Sequence, residues 1–314
     1  MTGTHLDTTS LLGHPGLMQG RPSTRLTTIT LHPVRRDEHQ AVLDLVDADR
    51  LPGQPQAAPA DLREALAGRS PIDGALWAGL TDLRHDVAVD SLGNVLGVIA
   101  TGWRARDSTA VLTWMHAREN SAVLSALLDA ALARFSTTKA EAFGMATALD
   151  LGLEALPVSH RRHTADVLVA AGFASADLWN YMLLPPDALT ELLDAPASKL
   201  SPALTSRIEK RRLGWRIAVH EGKHLVGEIE IDGPAQGISR IAWLEVDPGH
   251  RGAGLGRFLL RAGLGRARRA GAEQAVLYVD DDEPGTARDR TAATALYRKY
   301  GFRSIDRLHT FTRS

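Results

Sequence analysis

The sequence predicts an α/β protein with a mixed sheet, of the α+β kind, built from two copies of one domain in tandem. Three observations predict it. A strand-like run at 238–246 enters a turn with three glycines and continues as an amphipathic helical pattern to about residue 270. Strand, loop, helix, Gly-Phe and strand signals then follow in that order. Earlier in the chain a fainter version of this order appears. Ala165-Asp166-Val167-Leu168-Val169-Ala170-Ala171-Gly172-Phe173 parallels Thr294-Ala295-Leu296-Tyr297-Arg298-Lys299-Tyr300-Gly301-Phe302, 129 positions on. A repeat on that scale implies duplication, and 314 residues suit two domains.

The elements run as follows. Residues 1–23, rich in Thr, Gly, Leu and His, read as a mobile leader. A first strand is expected at 26–31, with helices near 38–48 and 60–67. Two strands, 86–90 and 95–103, flank the Ser91-Leu92-Gly93-Asn94 turn; a third covers 109–115 and a helix 122–135. Pro185-Pro186 marks the boundary, because neither residue supports helix continuation. The expected division is therefore 24–185 and 186–314. The second half opens with short helices at 188–193 and 202–212 and a strand at 215–219, with no recognisable first strand of its own. After the glycine turn and its helix, Gly271 is a stop signal. Residues 274–279 form an apolar strand, 280–289 an acidic loop, 291–300 a helix ended by Gly301, and 302–311 a last strand.

Composition narrows the function. A formal net charge of −1 makes no electrostatic case for nucleic acid or an anionic membrane. Zero cysteines exclude disulfides, cysteine nucleophiles and thiolate metal sites. Neither a transmembrane-length apolar run nor a secretory signal is evident, so a cytoplasmic protein is expected. Two histidine pairs, His160/His163 and His220/His224, lack a third ligand at a metal-binding spacing, and the 280–283 acidic run lacks the alternation of a calcium loop. No metal is expected.

The turn itself reads Val246-Asp247-Pro248-Gly249-His250-Arg251-Gly252-Ala253-Gly254-Leu255-Gly256-Arg257. Glycines in a strand-to-helix turn let the backbone approach a ligand. The helix start behind them offers unpaired N–H groups and a positive dipole end, an anion site. Arg251 and Arg257 add charge. A phosphate-bearing cofactor follows. It is not a P-loop, since no Lys-Ser or Lys-Thr comes after these glycines. It is not a dinucleotide fingerprint, since Arg257 stands where the third glycine belongs.

Arg251-x-x-Gly254-x-Gly256 is similar to the Arg/Gln-x-x-Gly-x-Gly/Ala signature of the GNAT acetyltransferase superfamily. Ala293, Leu296, Tyr297, Gly301 and Phe302 match its last-helix pattern, with Arg290 replacing an Asn. The two motifs span roughly the last 75 residues. The resemblance implies tandem GNAT-like domains and N-acetyl transfer from acetyl-CoA to a small-molecule amine. It places the cofactor along Leu244 and Val246 and on Arg251, Gly252, Ala253, Gly254, Leu255, Gly256 and Arg257. It makes Tyr297 the acid that protonates the thiolate. Its usual general base falls at Arg240, which cannot accept a proton and could instead bind an acidic group of the acceptor. Strict alternation puts Arg240, Ala242, Leu244 and Val246 on one face of the strand and Ile241, Trp243, Glu245 and Asp247 on the other. Glu245 is the candidate base if a bulge re-aims it; Glu228 and Glu230 are alternatives.

The first half is expected to be degenerate and non-catalytic. His116-Ala117-Arg118-Glu119-Asn120-Ser121 stands in place of the glycine turn, and Leu168 in place of Tyr297. It could serve as a scaffold or wall the acceptor pocket. A non-catalytic acyl-CoA sensor is the alternative from another class. Either a monomer or a homodimer is compatible with the sequence.

Overall fold

A computed structural model describes residues 29–135, 138–195, 200–280, 283–286 and 289–314. The expected leader at 1–23, the start of the expected first strand at 26–28 and parts of the acidic loop lie outside the described residues. The first half comprises β1 (Thr30–Pro33), α1 (His39–Ala48), α2 (Pro59–Leu66), α3 (Gly74–Ala78), β2 (Thr81–Val89), β3 (Val95–Arg104), β4 (Thr109–His116), α4 (Ser121–Leu132), β5 (Ala140–Ala142), β6 (Leu156–Pro157), α5 (Arg162–Ala170) and β7 (Ala174–Leu184). The second comprises α6 (Pro186–Asp194), β8 (Leu204–Lys210), β9 (Gly214–Glu221), β10 (His224–Asp232), β11 (Ile238–Val246), α7 (Leu255–Arg269), β12 (Gln274–Asp280), α8 (Thr291–Lys299) and β13 (Arg303–Arg313).

One expected helix is a strand. Within the expected helix at 202–212, Leu204–Lys210 forms β8, paired with β9 from Leu204↔Glu221 to Lys210↔Trp215. Pro202 resembles a helix start, but the run contains Thr205 and Ile208 and lies beside an open strand edge. Seven ladder positions outweigh a weak helical preference. β8 is thus the first strand of the second half, which the sequence did not reveal.

The strands form one mixed sheet in the order β1-β2-β3-β4-β5-β13-β7-β12-β11-β10-β9-β8. The parallel pairs β4/β5 and β11/β12 are each joined through a helix, α4 or α7, as a parallel crossover requires. The two halves exchange their last strands. β7 pairs with β12 of the second half, while β13 pairs with β5 of the first. β7 and β13 also pair with each other, which joins the halves.

The repeat persists at atomic level. Phe173 N–H donates to the Leu168 carbonyl at 3.0 Å, and Phe302 N–H to the Tyr297 carbonyl at 3.1 Å. Gly172 and Gly301 take positive φ values of 85° and 90° at the same place. In the second half, Leu255, Leu259, Leu260, Leu264 and Ala267 recur on one face of α7. They bury against Ile217, Ile229, Ile231, Ile241 and Leu277 of the sheet. Gly263 lets α7 approach closely, since a Cβ there would lie 2.9 Å from Ile229 Cδ1.

Candidate functional site

β11 ends at Val246 and the chain turns through Gly252 and Gly254, at φ 79° and 85°, into α7. Only glycine adopts this left-handed backbone without strain. A Cβ on either would meet nothing within 4 Å, so both face open space. Gly254 is the helix N-cap and provides no side-chain cap. The first N–H groups of α7 therefore point outwards without an intrahelical partner. Asp247 closes the turn, accepting from Gly249 N–H at 2.9 Å and facing His250 Nδ1 at 3.2 Å. The hydrogen bond to His250 leads the effects that lower the Asp247 pKa and raise that of His250. Arg251 Nε donates to the Val246 carbonyl at 3.1 Å, and the Arg257 guanidinium lies 5.8 Å from the Tyr300 ring centre. These residues form a cradle whose open backbone suits pyrophosphate.

The faces of β11 differ from strict alternation. Glu230 pairs with Trp243 but Ile231 with Ile241, so Ala242 is an extra residue, a β-bulge. Leu244 and Val246 join Ile241 towards α7. Trp243 and Glu245 share the other face with Arg240. The bulge thus re-aims Glu245, which is exposed and lies opposite Glu228 in the ladder. Glu228 is itself bonded to Arg216 at 2.5 Å, and Glu230 to Arg211 at 3.4 Å.

β11 and β12 pair only from Ile238↔Gln274 to Ile241↔Leu277, although both continue. Beyond Ile241 they part into a fork leading to the glycine turn. α8 lies beside this turn, where a Cβ on Gly256 would approach Leu296 to 3.4 Å. Tyr297 is 6% exposed, with its ring 5.5 Å from Phe302. Burial pushes its hydroxyl up to about 12, against the opposing charge of Arg290.

Arg240 sits at the fork's closed end. Burial disfavours its charge, but the carboxylate of Asp232, 2.8 Å from Nε, holds its pKa above the ordinary value. The first half packs over this end. Tyr278 donates to the Leu151 carbonyl at 2.5 Å, and Gln54 Nε2 reaches Tyr278 Oη at 3.0 Å and Tyr181 Oη at 3.3 Å. Asp150 and Glu154 interact electrostatically with Arg240. Sequence reasoning missed these residues. Nothing in the spacing of Gln54, Asp150, Glu154 and Tyr278 foretells that they converge.

The corresponding turn of the first half is closed. Asn120 Oδ1 accepts from Ala122 and Val123 N–H at 3.1 and 3.3 Å, capping α4. Glu119 accepts from Arg161 Nε at 2.6 Å and from Thr164 N–H at 3.0 Å. Arg161 is 3% exposed and also lies 3.4 Å from Asp49. Burial opposes ionisation of Glu119, but Arg161 and Thr164 outweigh it and lower its pKa. Leu168, the counterpart of Tyr297, is fully buried.

Among the described residues, no group of three or more His, Cys, Asp or Glu could hold a metal, and no helix is long and apolar enough to cross a membrane.

Comparison with known proteins agrees with this geometry. The mycothiol acetyltransferase of Thermobispora bispora is 38% identical over 91 residues, 29% of this chain and 28% of that protein. That of Saccharomonospora viridis is 43% identical over 69 residues, 22% of this chain and 20% of that protein. The chain thus spans less than a third of the curated relatives it matches. Among solved structures, a tandem GNAT protein from the clavulanic acid biosynthesis pathway superposes with a TM-score of 0.64 at 14% identity, over 91% of this chain and 98% of that one. A GCN5-related N-acetyltransferase from Sphaerobacter thermophilus gives 0.57 at 15% identity, over 91% and 95%. At such identities the likeness concerns the fold: a tandem GNAT arrangement. The model of the acetyltransferase (GNAT) family matches residues 186–302. The glycine turn, the forked strands and α8 all fall inside that match, which covers well under half of the chain.

Proposed function

We propose that the chain is an acetyl-CoA-dependent N-acetyltransferase that transfers the acetyl group directly to a small-molecule amine. Its one catalytic centre is built around the glycine turn, fork and α8 of 186–314. The observation that carries this reading is the uncapped glycine N-terminus of α7 beside the fork of β11 and β12, with buried Tyr297 on the adjoining helix. Acetyl-CoA supplies an activated acyl carbon on a thiol leaving group. The backbone from Gly252 to Arg257, with Arg251 and Arg257 nearby, would hold the pyrophosphate. The parted edge of β11 at Leu244 and Val246 would align the acyl arm.

Tyr297 is assigned as the acid. With its hydroxyl pushed up to about 12, it keeps its proton at neutral pH and can give it to a departing thiolate. Arg240 is assigned to the acceptor side, where Asp232 fixes it. Residues 24–185 are read as a degenerate copy without a cofactor cradle or a catalytic centre of its own. Asn120 already caps the N-terminus of α4 that a phosphate would need, Glu119 accepts from the first turn of α5, and Leu168 has no proton to give.

The curated relatives favour a narrower second reading, an acceptor related to mycothiol. Arg240 weighs against it as a departure from the family's base position. Thiol release from acetyl-CoA against a panel of amines, mycothiol precursors included, tests both readings. Release with at least one amine is expected. Acetyl-CoA binding without release for every amine would replace the transferase reading with that of an acyl-CoA sensor.

A further inference from the structure

Among the described residues, the helices α6, α7 and α8 of the second half pack on the face of β11 that carries Ile241, not on the face that carries Arg240. β8 and β9 are joined by only three residues, 211–213. Segments of the first half fill the place instead. Gln56 and Gln236 exchange hydrogen bonds of 3.0 and 2.9 Å, and the Arg212 guanidinium donates to the Pro71 carbonyl. The loop carrying Asp150 and Glu154 lies over the fork's closed end. A Cβ on Gly152 would overlap the Arg240 guanidinium.

Four carboxylates lie in this seam, and three are committed. Asp232 holds Arg240 at 2.8 Å. Asp73 accepts from Ala146 N–H at 2.6 Å. Asp150 accepts from the Thr147 hydroxyl at 2.7 Å and Leu153 N–H at 2.8 Å. Glu154 differs: it is half-buried, and the described residues give its carboxylate no hydrogen bond or ion pair. It is close enough to Arg240 to interact with it. We infer that Glu154, supplied by the first half, is the base that accepts the acceptor amine's proton at the fork, an assignment that rests on the acetyl-transfer reading.

The local charges suit the task. Burial comes first, repulsion by Asp73 and Asp150 adds to it, and Arg240 opposes it; together they bring Glu154 to about 7. A base is most effective when it titrates near the working pH. Of the other groups around it, Tyr278 on β12 is half-buried, and desolvation raises its pKa well above the ordinary value, so it stays neutral; Asp232 on β10 is paired with Arg240. Glu245 is exposed on the open part of β11, away from this seam.

In the step, Glu154 takes one proton from the ammonium form of the acceptor. The freed nitrogen pair attacks the thioester carbonyl, so a C–N bond forms and the C–S bond breaks. The Tyr297 proton goes to the leaving thiolate, and the second nitrogen proton restores the tyrosine hydroxyl. Glu154 then releases its proton to solvent, one per turnover.

The test compares wild type, Glu154→Gln, Glu154→Asp and Glu245→Gln by the pH profile of kcat/KM for thiol release. Acetyl-CoA affinity and the denaturation midpoint of ligand-free protein are followed in parallel. Glu154→Gln is expected to lose roughly 100-fold or more in kcat/KM and the pH limb near 7, while acetyl-CoA affinity is kept. Glu154→Asp should restore part of both. Without ligand, a carboxyl raised from 4.5 to about 7 costs stability as pH rises through that interval, so Glu154→Gln should flatten the fall of the midpoint. A Glu154→Gln enzyme with an unchanged limb and rate overturns the assignment alone, as does a limb lost only in Glu245→Gln. A wild type that binds acetyl-CoA but releases no thiol overturns the transfer reading and this assignment with it.

Discussion

Gly254 offers the sharpest test of the pyrophosphate cradle, because backbone and charge effects can be separated there. Its φ is 85° and a Cβ would meet nothing within 4 Å. Gly254→Ala therefore carries no packing clash, only the left-handed backbone cost of about 1–2 kcal/mol. That corresponds to a fall in Tm of roughly 2–8 °C for a cooperative unit above 150 residues. Gly254→Asp has a similar or smaller backbone cost, since Asp tolerates this region better. It also sets a carboxylate where a phosphate is expected. At about 4 Å, like charges repel by about 1 kcal/mol in bulk water and about 4 kcal/mol at an effective dielectric of 20. Residues 251–254 are exposed and Leu255 behind them is buried, so a value between these limits, about 2–3 kcal/mol, is expected. Acetyl-CoA affinity should then fall roughly 30- to 150-fold beyond any loss in the Ala variant. Calorimetric titration at two salt concentrations reads both parts, and the Asp penalty should shrink at high salt. Wild-type acetyl-CoA affinity in both variants would refute the pyrophosphate assignment, whatever their Tm.

Other perturbations probe separate parts of the structure. Tyr297→Phe keeps the ring against Phe302, so acetyl-CoA affinity and Tm should stay near wild type while kcat falls roughly 100-fold; an unchanged kcat removes Tyr297 as the acid. Gly263→Ala would place a Cβ 2.9 Å from Ile229 Cδ1. Overpacking of about 1–3 kcal/mol is offset by about 1 kcal/mol of helix propensity gained over glycine, so a net loss of at most about 2 kcal/mol in denaturant unfolding is expected; a gain of about 1 kcal/mol, the propensity alone, would mean that α7 does not pack this closely. Asp49 has a lowered folded pKa: burial opposes its charge, but His116 and Arg161 outweigh it. Its contribution is present above the unfolded value of about 3.9 and lost as pH falls through the lower folded value. Urea midpoints between pH 6 and 3 should therefore drop less steeply in Asp49→Asn, and an identical acid limb would show that Asp49 is not the group responsible.

What could be read from the chain was local. The turn from Val246 to Arg257 and the helix stop at Gly301-Phe302 are short-range signals, because each is made by neighbours in sequence. Both appear where expected. The face of Glu245 was not legible. Ile241-Ala242-Trp243-Leu244 reads as unbroken alternation, and the bulge at Ala242 is imposed by pairing with Glu230 and Ile231. β8 was misread because its strand character comes from the free edge of β9 rather than from strong propensity of its own. The seam of Gln54, Asp150, Glu154, Arg240 and Tyr278 was invisible for a deeper reason. Its members come from both halves, and only tertiary packing brings them together.

The strand exchange changes what the boundary at Pro185-Pro186 means. By sequence, cutting there separates two domains. In the sheet it parts β7 from β12, whose register runs from Ala275↔Leu184 to Asp280↔Trp179. It also parts β13 from β5. A fragment of 186–314 would thus expose one edge of β12, a strand buried along most of its length, and leave apolar Val276 and Leu277 bordering an open ladder. Such an edge invites aggregation. The fragment would also lose the loop that covers Arg240. Expressed alone, it is expected to be insoluble or oligomeric by light scattering. Restoring 174–184 at its N-terminus should recover a monodisperse species, since β7 supplies the missing ladder. A soluble, monomeric 186–314 with the full chain's acetyl-CoA affinity and turnover would refute the dependence of the second half on the first. The same result would leave Glu154 without a catalytic role. The first half is thus required twice by one arrangement: β7 completes the sheet that positions the fork, and the loop carrying Glu154 is held over that fork because β7 and β13 bind the halves together.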